Sequence, residues 1–154
     1  MVSWFTSPIH QAWLYAGQQL RWVDYLVAVL FLLFLGIQTV ADTRMWRFQQ
    51  NKNRLIDGGG TAVQPFMTEG LYRFSRHPNY ISEMGMWVAF YLLAVSGSNQ
   101  IWHWTGLGCV VLILMFQGST RLTEKISTER YPAYSSYQAA VPMFIPNPLR
   151  FRRS

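Results

Sequence analysis

The chain has 154 residues, of which 51% are hydrophobic and 16% aromatic. Only 13% are charged, against about 25% in soluble domains, so an ordinary soluble domain is disfavoured. Thirteen Lys and Arg against seven Asp and Glu leave a formal charge of +6, while one cysteine (Cys109) and three scattered histidines (His10, His77, His103) exclude an internal disulfide and a structural zinc site.

The first twenty residues lack a basic start followed by an apolar core, so no secretory signal is read there. Their Trp4, Phe5, Ile9, Trp13 and Leu14 suit an interfacial helix or the end of a partial span. Three apolar runs follow: Trp22 to Val40, Ile81 to Val95 and Ile101 to Phe116. At 1.5 Å per residue they reach roughly 22 to 28 Å, close to the hydrocarbon thickness of about 30 Å. Trp22, Trp102 and Trp104 stand at run edges, where an interfacial aromatic belt belongs. The fold expected over residues 1–154 is therefore a single all-α integral membrane domain. It has about three transmembrane helices, with an N-terminal and a C-terminal interfacial helix.

Charge gives the orientation. Arg44, Arg47, Lys52, Arg54, Arg73 and Arg76 follow the first run, and Arg121, Lys125, Arg130, Arg150, Arg152 and Arg153 follow the third. Only Arg21 precedes the first run, and the Ser96–Gln100 turn between the second and third is uncharged. Positive charge collects on the cytoplasmic side. The 41–80 loop and the C-terminus are thus expected inside, and the N-terminus and the 96–100 turn outside. Topology accounts for most of the basic excess, so nucleic acid is not an expected partner; the lipid bilayer is. Residues 42–53 read as a helical continuation below the membrane, with Met45 and Phe48 on one face, broken at Asp57-Gly58-Gly59-Gly60.

Two clusters carry the chemistry. Gly70-Leu71-Tyr72-Arg73-Phe74-Ser75-Arg76-His77-Pro78-Asn79-Tyr80 leads into the second run. Pro78 suits the first turn of a helix, and a helix N-terminus beside two arginines attracts anions. Headgroup anchoring by Arg73 and Arg76 is the competing reading. Glu83 falls one turn into an apolar run, where an acid is costly and usually has a partner. The second cluster runs from Arg121 through Glu124 and Lys125 to Arg130-Tyr131-Pro132-Ala133-Tyr134-Ser135-Ser136-Tyr137. Hairpin geometry places both clusters at one membrane depth, and Glu124 is expected to approach the 73–80 segment. The Pro-rich apolar stretch 141–148 reads as a cap.

These residues together resemble the C-terminal half of the steroid 5-alpha-reductase-like membrane proteins: Asp42 with Arg47-Phe48, G-L-Y-R-F-S-R-H-P-N-Y with Glu83, then Glu124-Lys125 and R-Y-P-A-Y-S-S-Y. The R-H-P-N-Y block is also similar to the sterol C14/C7 reductases, and isoprenylcysteine carboxyl methyltransferases share an R-H-P-x-Y block. The resemblance covers about residues 38–148. It implies a cofactor pocket formed by Asp42, Arg47, Arg73, Arg76, His77, Asn79, Tyr80, Glu124 and Tyr134, with Tyr80 and Glu83 as catalytic candidates. The implied reaction is NADPH-dependent reduction of a C=C bond in a hydrophobic, steroid- or lipid-like substrate. S-adenosylmethionine-dependent methylation of a lipid-linked carboxylate is the alternative, and a non-catalytic membrane subunit a third. No G-x-G-x-x-G follows a strand, so a Rossmann binder is not expected. Family members usually carry several further helices ahead of the first run, so the resemblance implies a shortened relative, a fragment or one part of a split protein, the last with a partner subunit or homo-oligomer supplying those helices. A bacterial inner membrane is favoured over the endoplasmic reticulum.

Overall fold

The computed structural model describes residue 13 and residues 19–60, 65–102 and 105–145; the expected N-terminal interfacial helix falls largely outside these. Every regular element among the described residues is helical: α1 (Trp22–Asp57), a 3-10 turn (Gly70–Arg73), α2 (Pro78–Ser98), α3 (Thr105–Arg130) and a short α4 (Tyr134–Ala140). Three of them, Trp22–Asp57, Pro78–Ser98 and Gly106–Arg130, are long and apolar enough to cross a membrane. The protein is an all-helical membrane protein.

The 36 residues of α1 extend for about 54 Å, well beyond a bilayer's apolar core. Residues 42–53 do continue the first helix without a break. It stops at Gly58-Gly59-Gly60, where Gly59 adopts φ 77°, and the N–H groups of all three glycines close on carbonyls of residues 54–56. That is a glycine-terminated helix end, which satisfies the last carbonyls. Pro78 is the first residue of α2, and the carbonyl of His77 accepts the first helical bond, from Ile81. The third helix begins later than its apolar run: Ile101 and Trp102 lie outside it, 71% and 95% exposed. Asn99 breaks the chain there with φ 55°, a conformation asparagine tolerates better than most residues. The Ile101 carbonyl is held by the Tyr91 hydroxyl.

The chain divides into two compact units, residues 1–36 with 82–119, and residues 37–81 with 120–154. In the first, Val27, Met84, Met86, Ala89, Ala94 and Cys109 are buried. The Phe31 and Phe90 rings meet at 4.7 Å, and the Phe34 ring lies against Gly85 so closely that a Cβ there would sit 2.7 Å from it. Tyr25, Val29, Leu32, Leu33, Leu107, Val110, Leu114 and Met115 are exposed. Helices this apolar on their outer face are stable where lipid rather than water surrounds them.

The second unit has a polar interior. Tyr72, Ser75, His77, Thr120, Glu124 and Tyr134 are all buried in it. Gly70, at φ 62°, leaves room for the Arg44 guanidinium, which a side chain at that position would strike.

Candidate functional site

Glu124 is the centre of the second unit's polar interior. Its side chain is 6% exposed. Oε1 lies 2.7 Å from Arg76 Nε and 3.0 Å from His77 Nε2. Oε2 accepts from Arg76 Nη2 and from Gln138 Nε2, each at 3.1 Å. The Arg76 Nε contact is close but not aligned as a hydrogen bond, so its contribution is ionic. Arg76 Nη1 donates to the Gln138 carbonyl at 2.7 Å. A buried carboxylate is tolerable only when paired and hydrogen-bonded, and three hydrogen bonds from Arg76, His77 and Gln138, with the Arg76 charge, meet that condition.

The backbone holds the same groups in place. The N–H groups of Arg76 and His77 donate to the carbonyls of Pro142 and Met143 at 3.0 and 3.1 Å, and Ser75 Oγ donates to Met143 O. The Tyr137 hydroxyl donates to the Tyr72 carbonyl at 2.5 Å. The two N–H groups just ahead of α2, those of Arg76 and His77, are thus occupied by the 142–143 segment. The Arg76 guanidinium is engaged by Glu124 and the Gln138 carbonyl.

Beside this hub lies a cavity of about 370 Å³, at the small end of the ~300–1,000 Å³ typical of ligand sites. Of the residues expected at a cofactor pocket, Arg76, His77, Asn79, Tyr80 and Tyr134 line it. Glu124 grips two of these from behind. Asp42 is exposed and does not line the cavity; burial raises Tyr72, and the Asp42 charge adds to that rise. Arg47 is exposed, and Arg73 is exposed with its guanidinium 5.2 Å from the Phe74 ring centre; neither lines the cavity. Glu83 belongs to the first unit, where it accepts a hydrogen bond from Trp87 at 2.9 Å.

The cavity also exposes residues that the sequence reading did not place in the site. Lys52 donates to the Pro65 carbonyl at 2.6 Å and to the Tyr131 hydroxyl at 2.9 Å. Arg130 sits with its guanidinium 5.6 Å from the Tyr131 ring centre. Phe66 packs against Tyr134 at 5.0 Å, edge to face, and against Tyr137 at 5.5 Å. Helical periodicity held a signal for Lys52: with Met45 and Gln49 it forms an i, i+4, i+7 stripe, and all three line the cavity. Nothing comparable marks Phe66, which follows the glycine break.

The lining contains three basic residues, Lys52, Arg76 and Arg130, and no acid. Arg76 is neutralised by Glu124, which leaves Lys52 and Arg130 to set the cavity's positive potential. Burial, reinforced by the Glu124 charge, pushes the Tyr134 hydroxyl up to about 12. Burial likewise raises Tyr72 and Tyr137. The Lys52 hydrogen bond lowers Tyr131. His77 falls below its ordinary value because burial outweighs the Glu124 contact, with Arg76 adding to the fall. The buried ring is therefore neutral at neutral pH.

Residues 1–141 match the model of the DUF1295 family, described as proteins of unknown function. The chain belongs to the DUF1295 family. It is also 35% identical over 136 residues to an uncharacterized protein of Schizosaccharomyces pombe, covering 80% of this chain and 39% of the yeast protein. The chain thus spans well under half the length of that curated relative. No solved structure shows significant similarity.

Proposed function

We propose that the cavity of the second unit holds a phosphate-bearing aromatic cofactor, and that the protein uses NADPH to reduce a C=C bond in a steroid- or lipid-like substrate. The observation that carries this reading is the lining itself: Lys52 and Arg130 without an opposing acid, beside the rings of Phe66, Tyr80, Tyr131 and Tyr137. Cations suit phosphate groups and aromatic faces suit a planar heterocycle. The DUF1295 family's place in the steroid 5-alpha-reductase-like superfamily supports it, as does the Gly70–Tyr80 motif. When bound, NADPH supplies the hydride.

The donor set fits part of that cofactor. A whole dinucleotide is larger than the cavity, which suits one nucleotide half. Lys52 and Arg130 would hold phosphate, and Tyr131 and Phe66 would flank a ring. Arg76 would fix His77 and Glu124 rather than touch phosphate. Tyr80 lines the cavity and is our candidate for proton delivery; Glu83 remains a catalytic candidate by resemblance alone. We place this unit on the cytoplasmic side, because the basic residues flank it.

Methyl transfer from S-adenosylmethionine is the second reading, favoured by the cavity's modest volume, which suits a mononucleoside-sized cofactor. Equilibrium binding of both compounds to the detergent-purified protein separates the two. Micromolar NADPH binding, followed by hydride-dependent reduction of a conjugated enone lipid, is the expected result. Binding of S-adenosylmethionine alone would replace the first reading with the second. Binding of neither would leave a non-catalytic membrane subunit.

A further inference from the structure

His77 lines the cavity, and its protonation pattern follows from its neighbours. Nε2 lies 3.0 Å from Glu124 Oε1. A carboxylate that already receives the Arg76 guanidinium and the Gln138 amide is an acceptor, so Nε2 carries the hydrogen. In a neutral imidazole the other nitrogen is then unprotonated. Nδ1 has no hydrogen-bond partner among the described residues, while its ring lines the cavity.

The ring is also fixed in place. Tyr80 stacks on it at 5.3 Å and 19°, and Phe144 stands at 6.2 Å. Its backbone N–H is held by Met143 O. Rotation to another rotamer would break the Glu124 contact, so Nδ1 keeps one direction. Lys52 and Arg130 in the lining can only donate. An acceptor of fixed position favours a ligand that brings its own N–H.

We propose that His77 Nδ1 is a specificity contact that accepts a hydrogen bond from an amino group on the bound heteroaromatic ring, with Glu124 as the positioning residue that sets its tautomer. The inference rests on the cofactor reading above and deepens it. Two groups of NADPH have this chemistry, the amino group of adenine and the carboxamide NH₂ of nicotinamide, and they lie on opposite halves of the molecule. The half in the cavity is the one His77 reads.

The test compares three ligands on the detergent-purified protein: NADPH, its hypoxanthine analogue, which lacks the adenine amino group, and its acetylpyridine analogue, which lacks the carboxamide nitrogen. One analogue should bind the wild-type protein roughly tenfold more weakly, the size expected for a lost buried hydrogen bond, and the other should bind like NADPH. His77→Phe should abolish that discrimination. His77→Asn, whose side-chain oxygen falls near the Nδ1 position, should restore part of it. The wild-type comparison needs no variant, so it stands even if a substitution impairs folding. NADPH binding with equal affinity for both analogues would overturn this inference alone, as would discrimination that persists in a folded His77→Phe protein. Absence of NADPH binding to the wild-type protein would overturn both this inference and the reading it rests on.

Discussion

The two units of this protein solve the burial problem with opposite chemistries. The first buries small and flexible apolar residues, Val27, Met84, Met86, Ala89, Ala94 and Cys109, and turns larger ones outward. In lipid there is little hydrophobic gain from helix association, so close packing and small residues do the work. Gly85 under the Phe34 ring is an instance. The second unit buries a carboxylate and surrounds it with donors from the 76–77 segment and Gln138. Apolar packing there includes aromatic contacts such as Phe66 with Tyr134 and the fully buried Ala41. A polar interior of this kind is a poor source of net stability, because desolvation consumes much of the ionic attraction. It does hold side chains in one arrangement, as a binding site requires.

Glu124→Ala should show the contrast most strongly. Removing one member of a buried ion pair costs about 3–5 kcal/mol, since the remaining charge stays buried without its partner. Hydrogen exchange should show lost protection at residues 75–77 and in Tyr134–Ala140, while the amides of 84–94 remain protected. Equal loss in both regions would show that the two chemistries are not separable.

In the first unit the corresponding change is Gly85→Ala. The new Cβ would meet the Phe34 ring at 2.7 Å, an overpacking expected to cost about 1–3 kcal/mol. Adding Phe34→Leu should recover most of that, as read from thermal unfolding in detergent. A Gly85→Ala protein as stable as wild type would mean the ring moves aside freely.

Lys52→Met probes function with little cost to folding. Its ammonium bonds the Pro65 carbonyl and the Tyr131 hydroxyl, both neutral groups with other ways to be solvated. Thermal stability should change little, whereas NADPH affinity should fall roughly tenfold if the ammonium meets phosphate, a charge-assisted bond of about 1.5–3 kcal/mol. Unchanged affinity would move the anion-binding role to Arg130 alone.

The smallest effect concerns pH. The unfolded chain takes up a proton at His77 near the ordinary value of 6.5, and the folded protein takes it up only at lower pH. The folded state therefore binds fewer protons in that window. The stability His77 contributes is complete above about pH 6.5, declines as pH falls toward the lowered folded value, and is constant below it. Arg76, Glu124 and Tyr80 are the charged or titratable groups that face the ring. A melting-temperature profile from pH 7.5 to 5 should show the decline in wild type, and His77→Phe should flatten it.

Much of the fold was legible because the lipid environment imposes a simple rule. Without water to satisfy the backbone, a span must be a continuous apolar helix, and runs such as 22–40 record that directly. The start of α2 at Pro78 and the glycine stop after Asp57 were legible for the same kind of reason, since each depends on local backbone chemistry. The third run and its helix differ locally: apolarity begins at Ile101, whereas the helix begins at Thr105, after the left-handed Asn99 and bends at Ile101 and Trp102.

The site was legible only as two clusters. Residue type showed that residues 70–80 are rich in arginine and tyrosine and that 121–137 combine the same types with Glu124 and Glu129, and helix ends at one depth implied that they meet. Nothing in either segment states that Arg76 spends its fork on Glu124 and the Gln138 carbonyl, or that Lys52 rather than Arg73 faces the cavity. The sequence by itself determined a membrane protein with three apolar helices and a basic side, because hydropathy and charge act residue by residue. Only the tertiary structure decided which cations are neutralised and which remain for a ligand. Pairing of buried charges depends on distances of about 3 Å between residues 48 positions apart, and such distances exist only once the chain has folded.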